Sequence, residues 1–292
     1  MRIKDSLDLL ILSALWGASF LFMRIAAPEF GPVVLAELRV AIASLVLLPI
    51  ILLRGNVGEL GMNWGKMVTV GTLNTAIPFI LFPFSTLFIT GGFAAILNAT
   101  APIFTALIAW IWLSTRLTGS SIFGFFVGFA GVTVLVWNKV SFDLSGTSLA
   151  IIAAVVASLF YGIGGNYTRK YLQGLRPLAI ATGSQIGAAI VLLPGAIALW
   201  PDGPISMRAW TAIILMGIFS TGFAYILYFR LIANIGPAGA ITVTYLTPGF
   251  AVLWGAIILD EQLTTSMIIG CAVILIGTAL ATGLLSVGGK KH

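Results

Sequence analysis

The chain has 292 residues, of which 59% are hydrophobic and only 8% charged, with a formal net charge of +6. So few charges cannot cover a water-facing surface, which excludes a soluble enzyme or binding module and places the chain in a bilayer. One cysteine and one histidine exclude a disulfide within the chain and leave no ligand set for zinc, and the positive charge is a topology signal rather than a nucleic-acid footprint.

Apolar segments of about 20 residues predict membrane helices, since a barrel strand would alternate over about 10. Span 1 (7–27) carries Trp16-Gly17-Ala18-Ser19-Phe20 and Arg24, and its length argues against a cleaved signal peptide. Span 2 (33–53) holds Glu37 and Arg39. Span 3 (67–89) holds Asn74, Pro78, Phe79, Phe82 and Pro83, and span 4 (93–113) holds Asn98 and Pro102. Span 5 (119–138) is rich in glycine. Span 6 (147–168) carries Tyr161 and Asn166, span 7 (177–199) Gln185, and span 8 (209–229) Tyr225 and Tyr228. Span 9 (237–259) carries Thr244, Tyr245 and Pro248, and span 10 (264–286) Cys271 between Gly270 and Gly277. Little chain is left over for a soluble domain.

The spans form a duplication. Trp16-Gly17 recurs as Tyr161-Gly162, Arg24 as Arg169, Pro32 as Pro177 and Pro49 as Pro194. After one inserted residue, Trp64 recurs as Trp210, Gly71 as Gly217, Thr75 as Thr221, Pro102 as Pro248, Gly124 as Gly270 and Gly131 as Gly277. Two repeats follow, 1–142 and 146–288, and an odd number of spans in each requires the second to cross in the opposite direction. The basic residues agree. With the N-terminus inside, Arg2, Lys4, Arg54, Lys66, Arg116, Arg169, Lys170, Arg176, Arg230, Lys290 and Lys291 are cytoplasmic, and Lys139 and Arg208 fall outside. The outer connections carry Glu29, Asp143, Asp202, Asp260 and Glu261. The expected fold is an all-α integral membrane protein of ten helices in two inverted five-helix repeats around a central cavity, with both termini cytoplasmic.

Trp16-Gly17-Ala18-Ser19-Phe20, Pro102, and Leu259-Asp260-Glu261-Gln262-Leu263-Thr264 leading to Gly270 and Gly277 carry a resemblance. Over essentially its full length the chain resembles the drug/metabolite transporter superfamily, in its ten-helix EamA-type branch. The resemblance implies a basket-like fold, a central substrate cavity and movement of amino acids or related metabolites across a bacterial inner membrane. One departure is visible: the acid of the family's span 4 to 5 junction is Thr115 here, while its repeat partner Glu261 is kept.

Polar groups in spans turn away from lipid, so Asn74, Asn98, Asn166, Gln185 and Thr244 are candidates for a pathway; the alternative is hydrogen bonding between neighbouring helices. Asn98 and Thr244 each stand four residues before a proline, which frees their carbonyls for a substrate ammonium. Trp16, Phe20, Phe79, Phe82, Tyr161, Tyr225, Tyr228 and Tyr245 supply candidate walls for an apolar or aromatic side chain, against ordinary packing or lipid-facing aromatics. Arg24 and Glu37 are expected to pair near the outer face; alternatively Arg24 or Arg39 lines an outer vestibule that attracts a carboxylate. Pro78, Pro83, Pro102 and Pro248 are hinge candidates.

No acid occupies the centre of a span, which favours facilitated diffusion over proton coupling, and no basic residue at the middle of spans 3, 4, 8 or 9 argues against bound phosphates. Gly124, Gly128, Gly270 and Gly277 make spans 5 and 10 supports, or else a dimer face. The reading is therefore an exporter of aromatic, apolar or broadly neutral amino acids, monomeric and without cofactor. Its alternatives are a proton-coupled metabolite or drug carrier and, from other classes, an ion channel or a membrane enzyme.

Overall fold

The computed structural model describes residues 3–53, 57–137 and 146–285. Arg2, Arg54, Lys139, Asp143, Lys290, Lys291 and His292, which bear on the expected topology and chemistry, lie outside the described residues. Helix occupies nearly all of the described chain. Its first stretch runs Ile3–Leu53, which as one rod would rise about 76 Å, more than twice a hydrocarbon core of about 30 Å. Gly31 breaks it, with φ 71° and ψ 159°. That left-handed backbone suits glycine, and Pro32 then opens the next helix where its missing N–H costs no hydrogen bond. A single residue thus separates α1 (3–30) from α2 (32–53).

The remaining helices are α3 (Trp64–Phe88), α4 (Gly91–Leu113), α5 (Gly119–Val136), α6 (Gly146–Tyr171), α7 (Pro177–Ala198), α8 (Met207–Gly236), α9 (Val243–Leu259) and α10 (Thr265–Ala281). Among the described residues these make ten membrane-spanning helices, five in each half, with a short helix Val57–Met62 before α3. Gly236, at φ 77°, ends α8 as Gly31 ends α1. Apolar side chains such as Leu45, Ile111, Phe126, Ile197 and Ile257 are exposed, as lipid contact requires.

Equivalent glycines seat the two halves on each other. A Cβ on Gly17 of α1 would come 2.7 Å from Phe250 Cβ and 2.8 Å from Ala251 N of α9; one on Gly162 of α6 would come 2.9 Å from both Phe104 C and Thr105 N of α4. These are one contact made twice, because Phe104 and Phe250 are themselves repeat partners. Gly71 of α3 likewise sits on Ala188 of α7, and Gly217 of α8 on Ile42 of α2. The stripes of α5 and α10 face each other: Gly131 lies against Ile274, and Gly277 against Gly128. Close approach of this kind is what small residues give helices in lipid. The glycines read as a dimer face in the sequence are therefore used within the chain.

The halves also share a π-helical turn, Thr72–Ala76 in α3 and Ile218–Phe223 in α8. Pro78 follows the first, but Ala224 holds its place after the second, so the turn belongs to the repeat and not to the proline. The symmetry fails at Pro102 and Pro248. The helix of α4 stops at Asn98 and resumes at Ala101, with Pro102 in its new first turn. Pro248 instead lies within the unbroken α9, and the interruption falls earlier, at 241–242. Pro102 and Pro248 are equivalent in sequence but only Pro102 adjoins a break.

Candidate functional site

A cavity of about 260 Å³ lies between the halves, lined from α1, α2, α3, α4, α6, α8 and the start of α9. That is slightly under the usual range of about 300–1,000 Å³ for small-molecule sites. Its aromatic wall is built in duplicate. Trp16 of α1 meets Tyr228 of α8 with ring centroids 5.3 Å apart, and Tyr161 of α6 meets Phe82 of α3 at 5.9 Å. Since Trp16 is the repeat partner of Tyr161 and Phe82 of Tyr228, each half contributes the same pair of positions, and each pair joins one half to the other. Phe20 adds an edge-on contact to Phe82 at 5.5 Å.

Of the residues expected at the pathway, Trp16, Phe20, Asn74, Phe79, Phe82, Asn98, Tyr161, Tyr225, Tyr228 and Thr244 all border this cavity. Pro102 and Arg39, expected at a hinge and in an outer vestibule, border it too. Gln185 does not; it is fully buried beside Tyr225. Tyr245 turns outward, its hydroxyl 3.1 Å from that of Thr282. Asn166 is helix glue: its Nδ2 donates to the carbonyls of Thr105 at 2.9 Å and Gly162 at 2.8 Å, binding α6 to α4. Pro78, Pro83 and Pro248 lie outside the lining.

The lining residues that sequence reasoning missed include Ser19, Thr105, Ser220, Thr221 and Thr247. Signals for them existed. Ser19 is three residues after Trp16, Thr247 three after Thr244, and Thr221 belongs to the repeat. Asn98 Oδ1 and the Ser220 hydroxyl are buried without a partner among the described residues.

The expected pairing of Arg24 with Glu37 is overturned. Arg24 Nε lies 3.9 Å from Glu261 Oε1, and its Nη1 donates to the carbonyls of Thr86 and, at 3.1 Å, Leu87. Glu261 is a better partner because it is already fixed: its carboxylate accepts from the amides of Gly91 (3.0 Å) and Gly92 (3.4 Å) at the N-terminus of α4. The helix dipole and the unpaired first amides favour an anion there. Glu37 is buried in α2, its Oε2 without a partner among the described residues. The opposite end lacks this latch, since Thr115 and an exposed Arg169 stand in the equivalent positions. That end is tied instead by Asp8 to Arg230 and by Asp5 Oδ1 to Asn234 at 2.9 Å.

Arg39 is only 6% exposed. Its Nε donates to Thr221 Oγ1 at 2.9 Å, and its guanidinium carbon lies 3.6 Å from the centre of the Phe79 ring. It therefore belongs to the centre of the molecule and not to an outer vestibule.

Comparison with known proteins places this geometry. The chain matches the EamA-like transporter family over residues 7–137 and again over 148–283. It is 26% identical to an uncharacterized transporter of Archaeoglobus fulgidus, covering 90% of this chain and 92% of that protein. It is 25% identical to the uncharacterized inner membrane transporter YedA of Escherichia coli, covering 97% and 93%. A solved crystal structure shares the fold with a TM-score of 0.69 at 19% identity, over 97% of this chain and 98% of the other.

Proposed function

The chain belongs to the EamA-like transporter family, and from that premise we propose that it exports amino acids with aromatic or apolar side chains, by exposing the central cavity alternately to the two sides of the membrane. It is a multi-pass membrane transporter whose partners are a small molecule and the bilayer. The observation that carries the finer reading is the composition of the cavity, where a wall of Trp16, Phe20, Phe79, Phe82, Tyr161 and Tyr228 faces polar groups from Asn74, Asn98 and Thr244. An apolar side chain finds the rings, and an α-amino and α-carboxyl group find the polar positions.

Facilitated diffusion fits a lining that holds no carboxylate among the described residues. Charge distribution supports cytoplasmic termini in a bacterial inner membrane, and the internal use of the α5 and α10 glycines supports a monomer. In that orientation Glu261, the α4 amides and Arg24 hold the outer end of the cavity, and Asp8 with Arg230 and Asp5 with Asn234 hold the cytoplasmic end. The cavity extends from Met23 toward the outer end to Ile241 on the cytoplasmic side. The break beside Pro102 is the favoured hinge.

The test is the purified protein in liposomes with labelled phenylalanine, threonine and glutamate, with and without a pH gradient. Saturable phenylalanine uptake with counterflow supports a carrier. Flux that does not saturate supports a channel, and acceleration by a proton gradient, beyond its effect on substrate ionisation, supports proton coupling.

A further inference from the structure

Arg39 is a buried cation with no counter-ion among the described residues. Among the described residues its charged neighbours include no carboxylate: the ion pairs are Arg24 with Glu261, Arg176 with Glu59 and Arg230 with Asp8. A guanidinium carries five N–H donors. One, on Nε, is used on Thr221, and neither terminal nitrogen has a partner among the described residues.

The way Arg39 is held explains which part of it is free. The π turn of α8 brings the Thr221 hydroxyl to the carbonyl of Met216, five residues back, at 3.1 Å. That commits the hydroxyl proton and leaves the oxygen as acceptor for Arg39 Nε. Phe79 covers one face of the guanidinium plane. The side chain is thus gripped at its inner nitrogen and on a face, while the two-pronged end stays unpaired at the cavity. That end has the spacing for the two oxygens of a carboxylate. The repeat shows that the charge is not needed for helix packing: Arg39's partner is Ser184, which donates to the carbonyl of Ala181 at 2.9 Å, and the hydroxyl of Thr75, the partner of Thr221, has no hydrogen-bond partner among the described residues.

We propose that Arg39, fixed by Thr221 and Phe79, is a carboxylate subsite of the central cavity, and that an aromatic monocarboxylate is the minimal ligand, the ammonium group being dispensable. The inference rests on the transport reading above and narrows its substrate chemistry. A cavity lined, among the described residues, by one cation and no anion matches a monocarboxylate in charge, so deaminated analogues of aromatic amino acids bind, whereas decarboxylated amines do not.

The experiment measures binding of labelled 3-phenylpropionate to the purified full-length protein, with phenylalanine and phenethylamine as competitors. Expected are saturable binding, competition by phenylalanine but not by phenethylamine, and a loss of about 10- to 100-fold in affinity in Arg39→Gln, the value of charge-assisted hydrogen bonds. Arg39→Lys keeps a charge without the fork and falls between. Should the variants fail to fold, phenylglyoxal modification of Arg39 in the unaltered protein, read by mass spectrometry, is slowed by 3-phenylpropionate and not by phenethylamine. Absence of saturable 3-phenylpropionate binding, equal competition by the amine, unchanged affinity in folded Arg39→Gln, or no protection of Arg39 each overturns the subsite. If 3-phenylpropionate binds and protects while phenylalanine neither competes nor is transported, the amino-acid reading falls and the subsite stands. If Arg39→Gln transports phenylalanine with unchanged constants, the reverse holds.

Discussion

With the termini cytoplasmic, as proposed above, replacing Glu261 by Gln should unlatch the outer end of the cavity. The carboxylate caps α4 through the amides of Gly91 and Gly92 and lies 3.9 Å from Arg24, whose side chain is 35% exposed. Glutamine keeps the shape and one acceptor oxygen but removes the charge. The charge–dipole contribution at a helix N-terminus is about 0.3–1 kcal/mol, and a partly exposed ion pair at this distance adds about 0.2–1 kcal/mol. Together the latched arrangement should lose about 0.5–2 kcal/mol, a shift of about 2- to 30-fold toward outward opening at about 1.4 kcal/mol per factor of ten. The assay uses a Cys271→Ala background with Met23→Cys, a cavity position near the outer end of α1, and an impermeant maleimide added outside. Labelling should accelerate in Glu261→Gln by the same factor. An unchanged rate, in protein that is folded and correctly inserted, would refute the latch.

Other consequences follow from the packing. Gly17→Val and Gly162→Val each drive a side chain into the backbone of a crossing helix, so each should lower thermal stability in detergent by about 1–3 kcal/mol, and similar losses for the two would reflect their equivalent contacts. Asn98→Leu should weaken phenylalanine transport severalfold, since it removes a polar group bordering the cavity. Tyr245→Phe removes only a half-exposed hydroxyl outside it and should leave transport constants unchanged; the opposite ranking in the liposome assay would move the site. Glu37→Gln should not alter the response of transport to a pH gradient if flux is uncoupled. A proton-driven component that disappears with this substitution would identify Glu37 as the coupling carboxylate.

The membrane class, the ten spans and the inverted duplication were legible in the sequence because they depend on segment length, on periodic similarity and on the side taken by basic residues. The aromatic positions were legible for a related reason: Trp16 with Tyr161, and Phe82 with Tyr228, are marked by the repeat itself. The partner of Arg24 was not. Glu37 is near in sequence, but the choice of Glu261 depends on how α4 presents its first amides, a tertiary fact with no local signature. The burial of Arg39 against the cavity was hidden similarly, since it reflects which way the rotation of α2 about its axis turns the side chain. Gln185 and Tyr245 were misjudged because a polar or aromatic residue within a span has several ways to avoid lipid, and only packing decides among them. The π turns leave no pattern in composition, and neither does the difference between Pro102 beside a break and Pro248 within α9.

The unequal pair Arg39 and Ser184 bears on why two halves should be joined in one chain. Two identical five-helix chains, assembled antiparallel about a two-fold axis in the membrane plane, would place an arginine wherever either copy had one. A second guanidinium would then stand where Ser184 now donates to Ala181, and two like charges would compete for one small apolar chamber at a cost that low dielectric magnifies. Fusing the copies frees each half to diverge from the other. A solitary charge off the two-fold axis becomes attainable, and with it a chamber that can tell one end of its cargo from the other.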